Sequence, residues 1–391
     1  MAEKGLMILS LVSIVRCKEY REEAVEKAVR DALKLTGGID DLLKKGTDVL
    51  LKPNVLSAKP PERAVTTHPV FVKAVVKIFS EKGFRVMVGD SSGGAIAGVS
   101  QTEKALKVSG IYDAVLEAGG EVINFDKTGT LPVNINGTTY HISKPVVEAP
   151  IVVSLPKFKT HSATLYTGAV KNMYGCIPGL KKAHYHRVFP NPNAFSAALG
   201  DIFQACRVDL AVMDGVIGME GNGPAAGNPR RVGIVMASRD SVALDTVASY
   251  IMGFNPAKIP HIAECSKRGL GVGRLNEITV IGEKPENVRP ENFQLPSNEL
   301  LTRLPSFLGR RVLRLLVARP RVNPRECTGC RVCVDNCPVK VIRMKRGYPE
   351  IDYRGCIECL CCHELCPKGA VELKYDNPVL DFLMRFKRKS R

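Results

Sequence analysis

The chain has 391 residues, 45% of them hydrophobic, and carries a formal net charge of +17. That length suits two or three units, and no apolar run reaches the roughly 18 to 20 residues of a membrane-spanning helix. Nine of the thirteen cysteines crowd between Cys327 and Cys366, which excludes a disulfide framework in favour of metal ligation in a reducing, cytoplasmic compartment. An aromatic content of 6% without tryptophan, and the lack of a recognition motif, argue against nucleic acid as the partner of this basic chain.

The opening stretch LMILSLVSIV meets Arg16 without a small-residue cleavage site and reads as a first strand. DVLLKPNVL follows as a buried strand. THPVFVKAVVKIFSEKG has helical spacing, with Thr67 as cap, Pro69 in the first turn, Val72, Val75, Val76 and Phe79 on one face, and Gly83 at the stop. Next come the strand FRVMVGD, a helix near 102–118, EVINFD, and the strands APIVVSLPK, VDLAVMDGV and RRVGIVMAS. The helix DSVALDTVASYIMG follows. This alternation predicts an α/β unit over residues 1–300, with a mostly parallel sheet and helices on both faces.

Ligands of open α/β sheets bind beyond the carboxyl ends of the strands, and four of these ends are polar. They carry Lys52; Asp90, Ser91 and Ser92 of GDSSGG; Lys157, Lys159 and His161 of PKFKTH; and Asp214, Glu220 and Asn222 of MDGVIGMEGNGP. TGAVKNMYG adds Lys171 and Asn172. If these ends converge, the lysines suit a small anionic ligand, and Asp90, Asp214 and Glu220 supply acid, base or cation-binding groups. GDSSGG either offers backbone amides to an anion or is a plain tight turn. His161, His184 and His186 could share a metal, although hydrogen-bonded or solvated histidines are the simpler reading. Cys176 is a buried structural cysteine unless a local field activates its thiol. There is neither a GxGxxG after the first strand nor a Walker lysine loop, so those nucleotide-binding devices are missing.

The basic charge is concentrated late, where residues 301–391 hold 20 Lys and Arg against 9 Asp and Glu. Residues 301–321 read as a basic amphipathic helical linker and 377–391 as a basic tail. Both suit docking within the protein or the anionic inner face of a membrane. Between them, CTGCRVCVDNCP and CIECLCCHELCP repeat the spacing CxxCxxCxxxCP, the pattern of bacterial ferredoxins with two [4Fe-4S] clusters. In that pattern the fourth cysteine of each run serves the other cluster. One set is then Cys327, Cys330, Cys333 and Cys366, and the other Cys356, Cys359, Cys362 and Cys337. Cys361 is left over as a wall residue. Residues 322–376 thus predict a small α+β ferredoxin-like domain. Its arginines and lysines suit an acidic redox partner, such as a soluble ferredoxin or flavodoxin.

Taken in order, KPN, THP, GDSSGG, PKFKTH, GAVKNMYG, MDGVIGMEGNGP and DSVALDTVA resemble the family of the domain of unknown function DUF362, across most of residues 10–285. Members are often fused to a two-cluster ferredoxin. The resemblance implies architecture and low-potential electron transfer, but no reaction. The leading expectation is a ferredoxin-linked oxidoreductase relaying electrons to a substrate or cofactor in the α/β cleft. The competing one is a non-catalytic electron carrier or a metallocofactor maturation factor.

Overall fold

A computed structural model describes residues 10–96, 99–179, 181–299, 317–377 and 381. Of the expected linker helix, residues 301–316 lie outside the described residues and the end from Ala318 on is a strand, not helix, while the basic tail lies outside them except for Asn377 and Asp381. The main sheet has ten strands, eight of them in the order Ile278–Gly282, Ser10–Arg16, Asn228–Ser238, Leu210–Glu220, Ile151–Leu155, Asp48–Pro53, Arg85–Asp90 and Glu121–Asn124. Along this path only Asn228–Ser238 runs antiparallel to its neighbours, and the other pairings are parallel. Lys157–His161 and Leu165–Thr167 extend the sheet beside Leu210–Glu220.

Successive strand residues point to opposite faces, and the core divides accordingly. Leu51, Val88, Val153 and Val235 pack with Val25, Val29, Phe71 and Phe79 of the helices Glu22–Leu35 and Pro69–Glu81. Their neighbours Leu50, Val152 and Met236 face the other way, toward Ile202, Val247 and Ile262 of the helices Pro192–Cys206, Ser241–Met252 and Pro260–Lys267. Each such fully buried side chain contributes roughly 1.5–3 kcal/mol. This is the mostly parallel sheet, covered on both faces, that the sequence predicts.

Three local expectations change. His68, not Thr67, caps the helix Pro69–Glu81, its Nδ1 accepting from Val70 N. The Thr67 hydroxyl instead ties two strand ends, donating to Leu155 O at 2.7 Å and accepting from Asn54 N at 2.8 Å. The helix near 102–118 is two helices, Thr102–Val108 and Ile111–Glu117, broken where Gly110 turns left-handed at φ 74°. The strand expected to end at MDGV runs on to Glu220, because Ile217–Glu220 keep pairing with Asn228–Arg231 across a bulge.

The C-terminal unit is built from two similar halves. The strands Ala318–Val322 and Val371–Tyr375 pair, as do Ile342–Lys345 and Tyr348–Ile351. Each cysteine run contains a one-turn helix, Val332–Asp335 or Cys361–Glu364, entered through a left-handed residue, Arg331 or Leu360. The unit sits on the GDSSGG loop. Asn336 accepts from Ala95 N at 2.8 Å and donates to Ala95 O at 2.7 Å. A Cβ on Gly93 would approach Leu365 to 2.9 Å, so the glycines let the two units touch and the loop is a seat for the C-terminal unit. Among the described residues no helix is long and apolar enough to cross a membrane.

A lysine-rich cleft against the second cysteine run

Nine cysteines line two cavities in the C-terminal unit. Cys327, Cys330, Cys333 and Cys366 surround one, and Cys337, Cys356, Cys359, Cys361 and Cys362 the other. The first lining equals one set that the spacing predicts and the second equals the other set with Cys361 added, and the cavities are of near-equal size, about 350 and 330 Å³ with their mouths. Among the described residues no three His, Cys, Asp or Glu side chains converge closely enough to hold a single metal ion. The donor set is all thiolate and spread around a void, which fits an iron-sulfur cubane and not a tetrahedral zinc. Residues of each cavity make hydrogen bonds to sulfur or bury it; Ala370 N, for example, donates to Cys366 Sγ at 3.2 Å.

A third and larger cleft, about 840 Å³ including its mouth, lies between the two units. One wall comes from the carboxyl ends of Asp48–Pro53 and Arg85–Asp90, from Lys157–His161, and from the short helix Ala169–Asn172. The other comes from Asn336, Cys361, Glu364 and Leu365 of the cysteine runs. Cys361 borders both this cleft and the cavity of Cys337, Cys356, Cys359 and Cys362.

Of the residues singled out in the sequence, Lys52, Asp90, Ser91, Lys159, Lys171 and Asn172 meet in the cleft, with His161 and His186. Lys52 and Asp90 pair at 2.8 Å and are almost fully buried. Lys52 also donates to Pro53 O and to Asn172 Oδ1. Gly175 permits this, since a Cβ there would lie 2.2 Å from Asp90 Oδ1. Burial pushes the Asp90 carboxyl up, against the pull of Lys52 and Lys182. Lys159 Nζ donates to Val65 O at 2.8 Å, and burial, reinforced by Lys171, lowers it to about 7. Lys171 has no hydrogen bond or ion pair among the described residues, and its ammonium lies 5.5 Å from the rings of Tyr174 and Phe195.

His161 Nδ1 accepts from Ala163 N at 3.1 Å and Thr164 N at 3.2 Å. Two donors on one nitrogen place the ring proton on Nε2. That Nε2 lies 3.4 Å from Glu364 Oε1, too poorly aligned for a hydrogen bond, and Glu364 Oε1 is left without a partner. Burial, with the field of Lys171 and Lys159, keeps His161 neutral. Burial and Lys171 take His186 down to about 3.

The structure separates the remaining candidates from the cleft. Lys157 and Asp214 form a fully buried pair at 2.7 Å, bridged by the Tyr20 hydroxyl, which accepts from Lys157 and donates to Asp214. Asp214 also accepts from His68 N, so this is a saturated structural network. Glu220 accepts from Gln294 N and Asn222 from Ser297 N and Oγ, holding the segment after residue 290. Ser92 lies in a hydroxyl network with Thr102. His184 is exposed beside Arg187, so His161, His184 and His186 do not converge. Cys176 is buried against Cys206.

Sequence reasoning missed Lys182 and Glu364. Lys182 donates to Ser91 Oγ at 2.8 Å and Ser92 O at 3.0 Å, organising GDSSGG. Burial lowers it to about 8. Its signal was a lysine three residues past a Pro-Gly pair. Glu364, at the position of Asp335 in the first run and one of two acids in the second with Glu358, carried no such signal.

Comparison with known proteins agrees with this geometry. Residues 326–370 match the 4Fe-4S dicluster domain, which makes this an iron-sulfur protein. A thylakoid-associated protein of Synechocystis is 33% identical over 288 residues, covering 73% of this chain and 87% of the relative. Residues 49–250, which hold most of the sheet and the lysine wall of the cleft, match the domain of unknown function (DUF362), and the chain belongs to that family.

Proposed function

We propose that the protein carries two [4Fe-4S] clusters and moves electrons between an acidic carrier protein and a small anionic ligand in the cleft. The observation that carries this reading is the double role of Cys361, which borders one cysteine cavity and the cleft at once. A pure carrier has no use for a charged cleft at that place. When bound, the clusters supply one-electron transfer at low potential. Cys327, Cys330, Cys333 and Cys366 would hold one, and Cys337, Cys356, Cys359 and Cys362 the other.

The protein's own groups provide the rest. Lys171 and Lys159 attract the anion. His161 holds a proton at Nε2 facing the cleft, with the Glu364 carboxyl beside it. The apolar side chains of Val55, Leu56 and Leu365 thin the water around them. On the far side, Cys330 is exposed and flanked by exposed Arg331 and Lys368, a setting that favours an acidic donor.

The test is anaerobic purification with iron and sulfide analysis and EPR of the dithionite-reduced protein. About eight irons per chain and interacting [4Fe-4S] signals are expected of two such runs. About four irons, or stoichiometric zinc, would overturn the reading. Attachment to an anionic membrane is a second element of the proposal. It is supported by the basic segments 301–321 and 377–391 and by the printed name of the Synechocystis relative, and vesicle co-sedimentation tests it.

A further inference from the structure

The cleft contains polar groups that the protein leaves unmatched, and these define what can fill it. Lys171 is only 8% exposed and makes no hydrogen bond or ion pair among the described residues. Lys159 uses one of its three donors, on Val65 O. In the same cleft, Glu364 Oε1 from the cysteine run and Asn54 Oδ1 beside Lys52 are buried acceptors without partners, and the buried Thr167 hydroxyl is unpartnered too. Buried polar groups are nearly always satisfied, so a cluster of exceptions marks a missing partner.

The charges narrow the class. Lys52 is neutralised by Asp90 at 2.8 Å, and Lys182 is bound to Ser91 and Ser92 in the field of Asp90 and Asp126. Lys159 and Lys171 then face Glu364, the one carboxyl of the cleft wall besides Asp90, so two ammonium-bearing side chains meet a single carboxyl, which suits a ligand with one carboxylate. The cleft thus holds unmatched donors and unmatched acceptors together, so a bare anion would satisfy the lysines and leave Glu364 and Asn54 orphaned.

We propose that the cleft binds a small monocarboxylate that also carries an O–H or N–H donor, its carboxylate on Lys171 and Lys159 and its donor toward Glu364 and Asn54. This rests on the functional reading of the cleft given above and names the chemistry of its ligand. The aromatic floor of Tyr174 and Phe195 beneath the Lys171 ammonium keeps that cation in place while the site is empty of protein acceptors.

The experiment compares glycolate, acetate and ethylene glycol by ligand-observed NMR and calorimetry, on full-length, anaerobically reconstituted, oxidised protein. The three differ only in whether charge and donor are both present. Glycolate is expected to bind about ten-fold tighter than either of the others, the worth of one well-made buried hydrogen bond or charge contact. Lys171→Met, which keeps the stem and removes the ammonium, is expected to lower glycolate and acetate affinity by about ten-fold with the EPR spectrum unchanged. Equal binding of acetate and glycolate would overturn the donor, and equal binding of ethylene glycol would overturn the anion. Binding of none of the three would overturn the site. Should Lys171→Met fail to fold, the ranking on the native protein decides alone. Binding is read on the oxidised protein, so its failure leaves the iron count and EPR result standing, and a failed iron count leaves the binding result standing.

Discussion

Glu364 lies between two ligand cysteines, yet its Oε1 is 3.4 Å from Nε2 of His161 on the opposite unit. The carboxyl therefore belongs to the cleft as much as to the cysteine run. Glu364→Gln keeps its shape and removes a negative charge from beside Lys159 and Lys171. Acetate affinity should rise by roughly ten-fold, since a like charge a few Å from the anion is gone in a poorly screened site. Iron content should stay the same. Calorimetry and iron analysis on one preparation check both halves, and weaker acetate binding would show that Glu364 does not face the anion.

Lys157 was as prominent in the sequence as Lys159, and the structure gives it other work. It and Asp214 are fully buried, and the pair is closed by Tyr20. Lys157→Ala strands a buried carboxylate and should destabilise the α/β unit by about 3–5 kcal/mol. Chemical denaturation followed by circular dichroism measures it. Any of this variant that remains folded should bind glycolate like the native protein, because Lys157 is not in the cleft wall.

The sheet, its two covered faces and both cysteine sets were legible because they depend on periodicity and spacing, which are local. The cleft was half legible. Strand-end position identified Lys52, Asp90 and Lys159, but alternation alone could not tell Lys159 from Lys157. The two differ in what they meet: the register Lys157↔Asp214 buries one against a carboxylate, and among the described residues no carboxylate stands at hydrogen-bond distance from the other. Glu364 and Asn336 were out of reach for a further reason, since their role exists only once the second unit docks on Gly93 and Gly94.

Lys159 gives the cleft a pH dependence. Burial and Lys171 lower it from 10.5 to about 7 in the folded protein. Between about pH 7 and 10.5 the unfolded chain binds a proton that the folded one does not, so this group makes stability rise with pH across that window and costs most below it. An anion reverses the preference by favouring the ammonium. Glycolate should bind more tightly as pH falls from 9 toward 7, taking up close to one proton at the upper end. Calorimetry in buffers of different ionisation enthalpy counts that proton. Proton release, or affinity that rises with pH, would place the anion away from Lys159.

Cys361 holds the place in the second run that Val332 holds in the first. Each opens a one-turn helix after a left-handed residue, Leu360 and Arg331. The repeat thus makes Cys361 a wall residue and Cys362 the counterpart of the ligand Cys333. Cys361→Val should retain the full iron content with unaltered EPR line shape. Cys362→Ala should lose about half of the iron, as expected for a run that supplies three thiolates to one of two clusters. The two variants share a backbone site and differ by one position, so misfolding would affect them alike. Iron loss in Cys361→Val with retention in Cys362→Ala would shift the ligand set by one residue and draw the cluster closer to Lys171. The glycolate site and the cluster would then share an atom of wall, and ligand binding would move the EPR spectrum directly.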